Sequence, residues 1–223
     1  MTTAADRPAV RVAIFGGHGK VALRTAPLLA ARGDHVTAVI RNPEHEADVR
    51  AAGAEPVVFD MEREDGAAFE RLIAGHDAVV WSAGAGGGNP ARTRAVDFEA
   101  AVRAMDAATA AGVTRFVMVS YFGSSLQHGL DPADSFYAYA QAKAEADEQL
   151  RSSGLDWTVL GPSRLTLAEP TGRIDARATA AGEVSRANVA LVVAHALIEP
   201  ATIGRTIRFN DGEQPIADAL ATA

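Results

Sequence analysis

The sequence contains no cysteine, so disulfide bonds, thiolate metal sites and cysteine nucleophiles are excluded. Positive charge is also scarce: 21 Lys and Arg residues stand against 28 Asp and Glu, for a net charge of −7. This balance argues against a nucleic-acid partner, and no basic stripe suggests contact with a membrane surface. No apolar run approaches membrane-spanning length, and the polar start from Met1 to Pro8 lacks the apolar core of a signal peptide. We therefore expect a cytoplasmic protein with a small-molecule partner, either a monomer or a homodimer.

Lysine is the second scarce residue. Of the 21 basic residues, only Lys20 and Lys143 are lysines. An ammonium group is more compact than a guanidinium, so these two positions are candidates for a site that needs a small cation, although chance could also produce the pattern. The six histidines show no metal-ligand spacing, and no metal site is predicted.

The glycines near the start of the chain predict a nucleotide-binding turn. Five of the seven residues from Val10 to Gly16 are apolar, as in a strand buried on both faces, and Lys20 to Arg32 has a helical pattern. Between them lies the dinucleotide fingerprint Gly16-x-x-Gly19-x-x-Ala22, with alanine in the third place. A helix that begins at such a turn offers free backbone N–H groups to a pyrophosphate. The alternative is a turn with only a structural role.

Apolar runs and helical patterns alternate along the chain, which predicts an α/β fold. After the first strand, the predicted strands are His35–Arg41, Glu55–Asp60, Asp77–Ser82, Arg115–Ser120, Trp157–Leu160 and Thr206–Phe209. After the first helix, the predicted helices are Glu44–Ala52, Gly66–Ala74, Ala91–Ala111, Ser135–Ser153 and Asn188–Ile198, with a short one at the end. We expect one doubly wound parallel sheet of the Rossmann type, in a single domain spanning residues 1–223. Ligands of such sheets bind beyond the carboxyl ends of the strands.

The residue after the second strand favours NADP over NAD. The fingerprint expects an acid about 20 residues after the glycines, where it holds the ribose 2′-hydroxyl. This chain instead has Arg41, followed by Asn42 and Pro43. A guanidinium pairs with a 2′-phosphate, whereas a carboxylate would repel it. The alternative is a solvated arginine at a strand end.

Further cofactor contacts are predicted after the third and fourth strands. Asp60 and Met61 would border an adenine ring, although Asp60 could instead cap the next turn. Ser82 to Gly84 would bring the backbone close to the cofactor, or form a flexible loop. The acidic stretch Glu62–Asp65 is interpreted as a solvated turn, and His18 contacts either a phosphate or solvent. The predicted cofactor-binding residues are Gly16, His18, Gly19, Lys20, Val21, Arg41, Asp60, Met61, Ser82, Ala83, Gly84 and Lys143.

Tyr139 and Lys143 form the predicted chemical centre. Because they are four residues apart on a helix, they share one face. An ammonium beside a phenol favours the phenolate, so we expect the pKa of Tyr139 to lie below its ordinary value near 10. Such a tyrosine can exchange a proton with a carbonyl or alcohol oxygen during hydride transfer. Ser120 follows the fifth strand and would orient that oxygen, and Tyr137 is a weaker candidate because no lysine follows four residues on. The alternative is a Tyr–Lys pair with only a structural role.

As a set, these motifs resemble the short-chain dehydrogenase/reductase superfamily, and most closely its atypical NAD(P)-binding branch of epimerase/dehydratase-like and NmrA-like proteins. The resemblance covers nearly the whole chain and is carried by the Gly16-x-x-Gly19 loop, Arg41-Asn42-Pro43, Asp60, Ala83–Gly86, Ala95–Asp97, Arg115–Ser120, Tyr139-x-x-x-Lys143, Ser153–Thr158 and Ser185–Val189. It implies a nucleotide-binding parallel sheet, NADP(H), and a Ser-Tyr-Lys site. It also implies a fourth polar residue on the long helix, a place that Asp97 matches.

The chain departs from that branch at three places. Tyr121 stands where a second serine is usual, which leaves Ser120 or Ser124 as the site serine. Gly161-Pro162 replaces the usual Arg-Pro after the sixth strand, and Asn188 replaces a common aspartate. The first two changes lie where the nicotinamide and the substrate are expected.

The sequence therefore predicts an NADP(H)-dependent oxidoreductase that acts on a small carbonyl, a quinone or a similar acceptor. Tyr139 would be the acid or base, with Lys143, Ser120 and Asp97 completing the catalytic set. Two alternatives stay open: a non-catalytic NADP(H)-binding redox sensor and an epimerase-type isomerase. A sensor could fill the substrate cleft with its own Tyr121, Phe122 or Leu126.

Overall fold

The computed structural model describes residues 8–86 and 88–222, so the predicted polar start before Pro8 lies outside the described residues. The strands are β1 (Arg11–Phe15), β2 (His35–Ile40), β3 (Glu55–Val58), β4 (Ala78–Trp81), β5 (Arg115–Val119), β6 (Asp156–Pro162), β7 (Arg164–Thr166), β8 (Arg173–Asp175), β9 (Glu183–Ser185), β10 (Arg205–Asp211) and β11 (Gln214–Pro215). The helices are α1 (Ala22–Ala31), α2 (Glu46–Ala51), α3 (Gly66–Ile73), α4 (Pro90–Thr93), α5 (Ala101–Ala110), α6 (Tyr137–Arg151), α7 (Arg186–Ala196) and α8 (Ile216–Ala221). Short 3₁₀ turns lie at Pro43–His45 and Pro200–Thr202.

A large sheet has the strand order β11-β8-β10-β6-β5-β4-β1-β2-β3. All pairings from β10 through to β3 are parallel, which confirms the predicted Rossmann-type sheet. β1 pairs with both β2 and β4, and Phe15 lies opposite Val39 on one side and Trp81 on the other. The strand order reverses at this point, so the carboxyl ends of β1 and β4 border the crevice where such folds bind ligands.

The edge of the sheet beyond β10 differs from the prediction. β8 pairs antiparallel with β10 and β11, and β7 pairs with β9 in a separate small sheet. The predicted parallel sheet therefore ends at β10, and the antiparallel pairings beyond it were not predicted, because strands of two or three residues are too short to show a period. Asn188 holds this edge: its amide donates to Asp211 Oδ1 at 2.6 Å and accepts from the Gly172 N–H at 2.9 Å. The departure at Asn188 is thus part of a structural hydrogen-bond network.

Both faces of the sheet are covered, as double winding requires. Along β1, Val12 and Ile14 contact the hydrophobic cluster that includes α1 and α7, whereas Phe15 points to the cluster that includes α3 and α5. The Phe15 ring stacks on Trp81 at 5.1 Å and on Phe69 at 5.6 Å. Each such side chain contributes about 1.5–3 kcal/mol of burial free energy. This packing fixes the strand end from which the glycine turn departs.

The predicted helix Ala91–Ala111 is interrupted. Between α4 and α5, residues Arg94–Ala100 form a π-helical segment, in which the backbone bonds span five residues instead of four. This segment buries Asp97 to 1% exposure. No glycine or proline lies between Ala91 and Ala111, so the sequence contains no signal for the interruption.

Candidate functional site

The glycine turn after β1 is too crowded for side chains. Gly16 has φ +79°, and a Cβ there would lie 2.7 Å from the Ala83 Cα. A Cβ on Gly17 would lie 2.6 Å from the Ala38 Cβ, and one on Gly19 would lie 3.0 Å from the Gly16 carbonyl oxygen. Gly17 was not among the predicted residues, although its contact with β2 keeps the turn close to the sheet. The turn leaves an open backbone approach at the start of α1, as a phosphate site needs.

A cavity of about 230 Å³ opens beside this turn, and we call it the glycine cavity. Eight of the predicted cofactor-binding residues line it: Gly16, His18, Gly19, Arg41, Met61, Ser82, Ala83 and Gly84. The side chains that line it and were not predicted include Asn42, His45, Glu62 and Arg92. A glycine-walled cavity with arginines at its rim fits the phosphates of a dinucleotide.

Four predicted cofactor-binding residues do not line this cavity. Lys20 is exposed and Val21 is buried at the start of α1. Asp60 caps its own turn, because its Oδ1 accepts from the Glu62 N–H at 3.1 Å. Lys143 is buried elsewhere, as described below. Contacts from these four to a cofactor stay predictions.

The charged rim of the glycine cavity is tied together by ion pairs. Arg41 Nη1 donates to Glu62 Oε1 at 3.0 Å, and Arg92 Nε donates to the same oxygen at 2.9 Å. Glu62 lies in a turn, as predicted, but its carboxylate is only 25% exposed and is paired with side chains from other segments of the chain, which was not predicted. His18 contacts Asp48 at 2.9 Å and stacks on the His45 ring at 3.6 Å between centroids.

A second cavity of about 560 Å³ lies beyond the carboxyl ends of β5 and β6, and we call it the aromatic cavity. It is lined by Ser120, Tyr121, Phe122, Gly123, Phe136, Tyr139, Pro162, Ser163, Arg164, Leu165 and Ala181. The rings of Tyr121, Phe136 and Tyr139 contact one another, with centroids 5.1–5.6 Å apart. Tyr121 and Phe122 form part of the wall of an open cavity, and Leu126 does not line it.

Lys143 does not have the predicted effect on Tyr139. Burial raises the pKa of Tyr139, and the charges of Asp97 and Asp147 raise it further. The predicted lowering of this pKa is therefore wrong. The Lys143 ammonium is buried and donates to the Val119 carbonyl at 3.0 Å. Spacing along a helix places two residues on one face, but it does not determine where a long side chain ends.

Asp97 lies beside Gly84 of the glycine cavity, and its charge acts on Tyr139 of the aromatic cavity. Its Oδ2 accepts from the Ala85 N–H at 3.0 Å, and its Oδ1 is 3.2 Å from the place that a Cβ on Gly84 would occupy. Among the described residues, no partner bonds to that Oδ1. Burial raises the pKa of Asp97, whereas the charge of Lys143 opposes the rise. The structure thus brings Asp97 into electrostatic contact with both Tyr139 and Lys143.

Asp147 is a site residue that the sequence interpretation missed. Its Oδ2 accepts from Ser120 Oγ at 2.6 Å and from Ser124 Oγ at 2.5 Å, so both candidate serines meet one buried carboxylate. A hydroxyl has a single proton, and Ser120 donates it to Asp147. Its oxygen therefore remains available as an acceptor. The signal was present in the spacing, because Asp147 follows Lys143 by four residues, as Lys143 follows Tyr139.

Comparison with known proteins assigns the family. Residues 16–200 match a family model described as NAD(P)H-binding. This chain belongs to that NAD(P)H-binding family. The match confirms the predicted nicotinamide-nucleotide fold, and the NADP preference stays a prediction.

Relatives of this NAD(P)H-binding protein span nearly its whole length. It is 34% identical over 216 residues to YhfK of Bacillus subtilis, described as an uncharacterized sugar epimerase, covering 95% of this chain and 99% of YhfK. A solved structure from Bacillus halodurans, described as a candidate NAD-dependent epimerase/dehydratase, is 31% identical with a TM-score of 0.88, covering 96% of this chain and 100% of that one. The oxidoreductase YlbE of Lactococcus lactis is 26% identical with a TM-score of 0.83, over 95% of each chain. These relatives agree with the predicted epimerase/dehydratase-like branch.

Two further observations bear on the predictions. In the part of the chain that the structure describes, no helix is both long and apolar enough to cross a membrane.

At the departure Gly161-Pro162, Pro162 lines the aromatic cavity, and a Cβ on Gly161 would lie 3.2 Å from the Tyr121 carbonyl oxygen. The missing arginine is thus replaced by a residue pair that keeps this wall compact and apolar.

Proposed function

We propose that this NAD(P)H-binding protein is an NADP(H)-dependent oxidoreductase that reduces a small carbonyl compound, a quinone or a similar acceptor. The observation that carries the proposal concerns Tyr139 and its neighbour Asp97. Tyr139 lines the aromatic cavity, and Asp97, whose charge raises the pKa of Tyr139, lies beside Gly84 of the glycine cavity. A cofactor in one cavity and an acceptor in the other would meet near these side chains.

The residues of the chain have separate roles in this proposal. When bound, the nicotinamide cofactor supplies the hydride. The backbone around Gly16 and Gly19 binds its phosphates, since the crowded turn leaves no room for side chains. A phenol is protonated at neutral pH even at its ordinary pKa, and burial raises the pKa of Tyr139 further, so Tyr139 can hold the proton for the oxygen of the acceptor.

Ser120, Lys143 and Asp147 position the site in this proposal. Asp147 fixes the hydroxyl of Ser120, whose oxygen is then available to accept a hydrogen bond from a neighbouring hydroxyl or from an alcohol, since a carbonyl oxygen has no proton to donate. Burial raises the pKa of Asp97, and the positive charge of Lys143 lowers it, so Lys143 acts on Asp97. When it is ionised, Asp97 in turn raises the pKa of Tyr139.

The lining of the aromatic cavity supports an apolar acceptor over a sugar. Four aromatic residues, together with Pro162 and Leu165, line this space, whereas a sugar needs polar partners for its hydroxyl groups. The name of YhfK keeps an epimerase as the second candidate, since that relative covers nearly the whole chain.

A screen of acceptors tests the proposal. The purified protein is incubated with NADPH or NADH and with aldehydes, quinones or flavins, and cofactor oxidation is followed by absorbance. We expect turnover with at least one apolar acceptor, and faster turnover with NADPH. Isomerisation of a sugar substrate with no net cofactor oxidation would favour the epimerase. Absence of turnover, together with a protein partner whose binding depends on NADPH, would favour the sensor.

A further inference from the structure

Glu62 lies between two arginines at the rim of the glycine cavity. Its Oε1 accepts from Arg41 Nη1 at 3.0 Å and from Arg92 Nε at 2.9 Å. The two nitrogens therefore lie within about 6 Å of each other, a separation that one phosphate can bridge with charge-assisted hydrogen bonds of about 2.7–2.9 Å. All three side chains line the same cavity. One carboxylate faces two guanidiniums, so the group keeps a positive charge.

Arg92 is held in this position independently of Glu62. The Arg92 Nη1 donates to the Ala85 carbonyl at 2.8 Å. The backbone N–H of Arg92 donates to Oδ1 of Asn89, the residue that caps α4. Its side chain is 35% exposed, against 55% for Arg41, so Arg92 is the more enclosed of the two. An arginine that is fixed by the backbone loses less freedom when it binds an anion.

We propose that Arg92 is a second phosphate-binding residue, and that Glu62 is an internal anion which the cofactor displaces from Arg41 and Arg92. The group that displaces it is the 2′-phosphate, because Arg41 follows β2, where Rossmann folds contact the ribose 2′ position. Glu62 and Arg92 then set the preference for NADP over NAD as much as Arg41 does. This inference rests on the proposed function, since it assumes an adenine dinucleotide in the glycine cavity.

Calorimetry with two cofactor fragments tests the inference without any turnover. One fragment is 2′,5′-adenosine diphosphate, which has the 2′-phosphate, and the other is 5′-ADP, which lacks it. Arg92→Ala should weaken binding of the first by roughly 10- to 100-fold and change the second little, as expected for a lost charge-assisted bond. Glu62→Gln should tighten binding of the first by about 2- to 5-fold, since an exposed ion pair is a weak competitor.

Matched controls separate the local effect from the net charge. Arg94→Ala removes a nearby cation that pairs with Glu145 and does not line the cavity, and Glu64→Gln removes a nearby anion of the same segment. Neither control should alter the ratio of the two affinities. Thermal unfolding of each variant shows whether it folds, and Arg92→Lys should restore part of the lost affinity if charge is what matters.

Each contrary outcome has its own meaning. Equal weakening of both fragments by Arg92→Ala would overturn the inference, because Arg92 would then act on the 5′-diphosphate or on the fold. A preference for the 2′-phosphate that survives Arg92→Ala would overturn it too, while leaving NADPH binding through Arg41 intact. Failure of the parent protein to bind either fragment would refute the proposed function itself, and the inference with it.

Discussion

The glycine cavity and the aromatic cavity both lie at the carboxyl ends of the parallel strands, but they are built differently. The first is shaped by backbone, because Gly16, Gly17 and Gly19 remove side chains from a tight turn, and its charges lie at the rim. The second is walled by aromatic rings and has one charged lining residue, Arg164, while Asp97 and Asp147 are buried and do not line it. The first therefore suits a charged, extended ligand and the second a small apolar one. Substitutions in one cavity should spare the function of the other.

The largest expected effect is on cofactor binding through the turn. Gly19→Val would place a side chain against the Gly16 carbonyl oxygen, only 3.0 Å from its Cβ, where a phosphate must approach. We expect NADPH binding to be lost with the fold largely retained. In a thermal-shift assay with NADPH at 100 times its Kd, the free energy of unfolding of the parent protein should rise by about 2.7 kcal/mol. That of the variant should not rise. Gly66→Ala is the control, because its Cβ would meet nothing within 4 Å.

Next in size is the effect of Tyr139→Phe on the proposed chemistry. Removing the proton donor should lower kcat by roughly 10²–10⁴-fold. NADPH affinity should stay within a factor of two or so of the parent, because the phenol lines the other cavity. Tyr137→Phe is the matched control, since its ring packs against His128 at 5.2 Å and does not line the aromatic cavity. Equal rates for parent and Tyr139→Phe would remove Tyr139 from the mechanism.

Arg41→Ala should have a smaller effect, confined to the choice of cofactor. Loss of a charge-assisted contact of about 1.5–3 kcal/mol should weaken NADPH binding and leave NADH binding nearly unchanged. Calorimetry with both cofactors measures the ratio. Arg50→Ala is a suitable control, since Arg50 pairs with Glu46 and Glu55 away from the cavity. If the parent binds NADPH and NADH equally well, Arg41 does not select the cofactor.

The smallest expected effect is the pH dependence that Asp97 introduces. The unfolded chain releases this proton near the ordinary pKa of 3.8, whereas burial holds it to higher pH in the folded protein. Between those pH values the folded state binds more protons, so stability falls as pH rises. Urea unfolding from acid to neutral pH should therefore show Asp97→Asn gaining stability relative to the parent. Asp106→Asn, an exposed change on α5, should show no such trend.

The predictability of the two cavities follows their construction. The glycine cavity could be predicted because the residues that form it follow consecutive strands. A tight turn also requires glycine, which is visible in the sequence. The aromatic cavity depends on contacts between distant segments: Asp147 on α6 meets Ser120 and Ser124 after β5. Sequence spacing indicated that Tyr139 and Lys143 share a face, but the direction of the pKa shift depends on burial and on carboxylates from elsewhere. The ion pairs of Glu62 were missed for the same reason, since one arginine follows β2 and the other lies on α4.

The direction in which the Asp97 side chain points depends on the number of residues in the π-helical segment Arg94–Ala100. Each residue of an α-helix turns the next by about 100°, so the angular place of Asp97 depends on how many residues precede it. Deleting one residue from this segment would allow the backbone to form an ordinary α-helix. The Asp97 carboxylate would then point in a different direction around the helix axis. If the deleted residue is uncharged, the charge of the chain and the type of every remaining residue would be unchanged. Sequences of this family that differ by a single gap here would thus differ in which side chain faces Gly84, even where the aspartate itself is present.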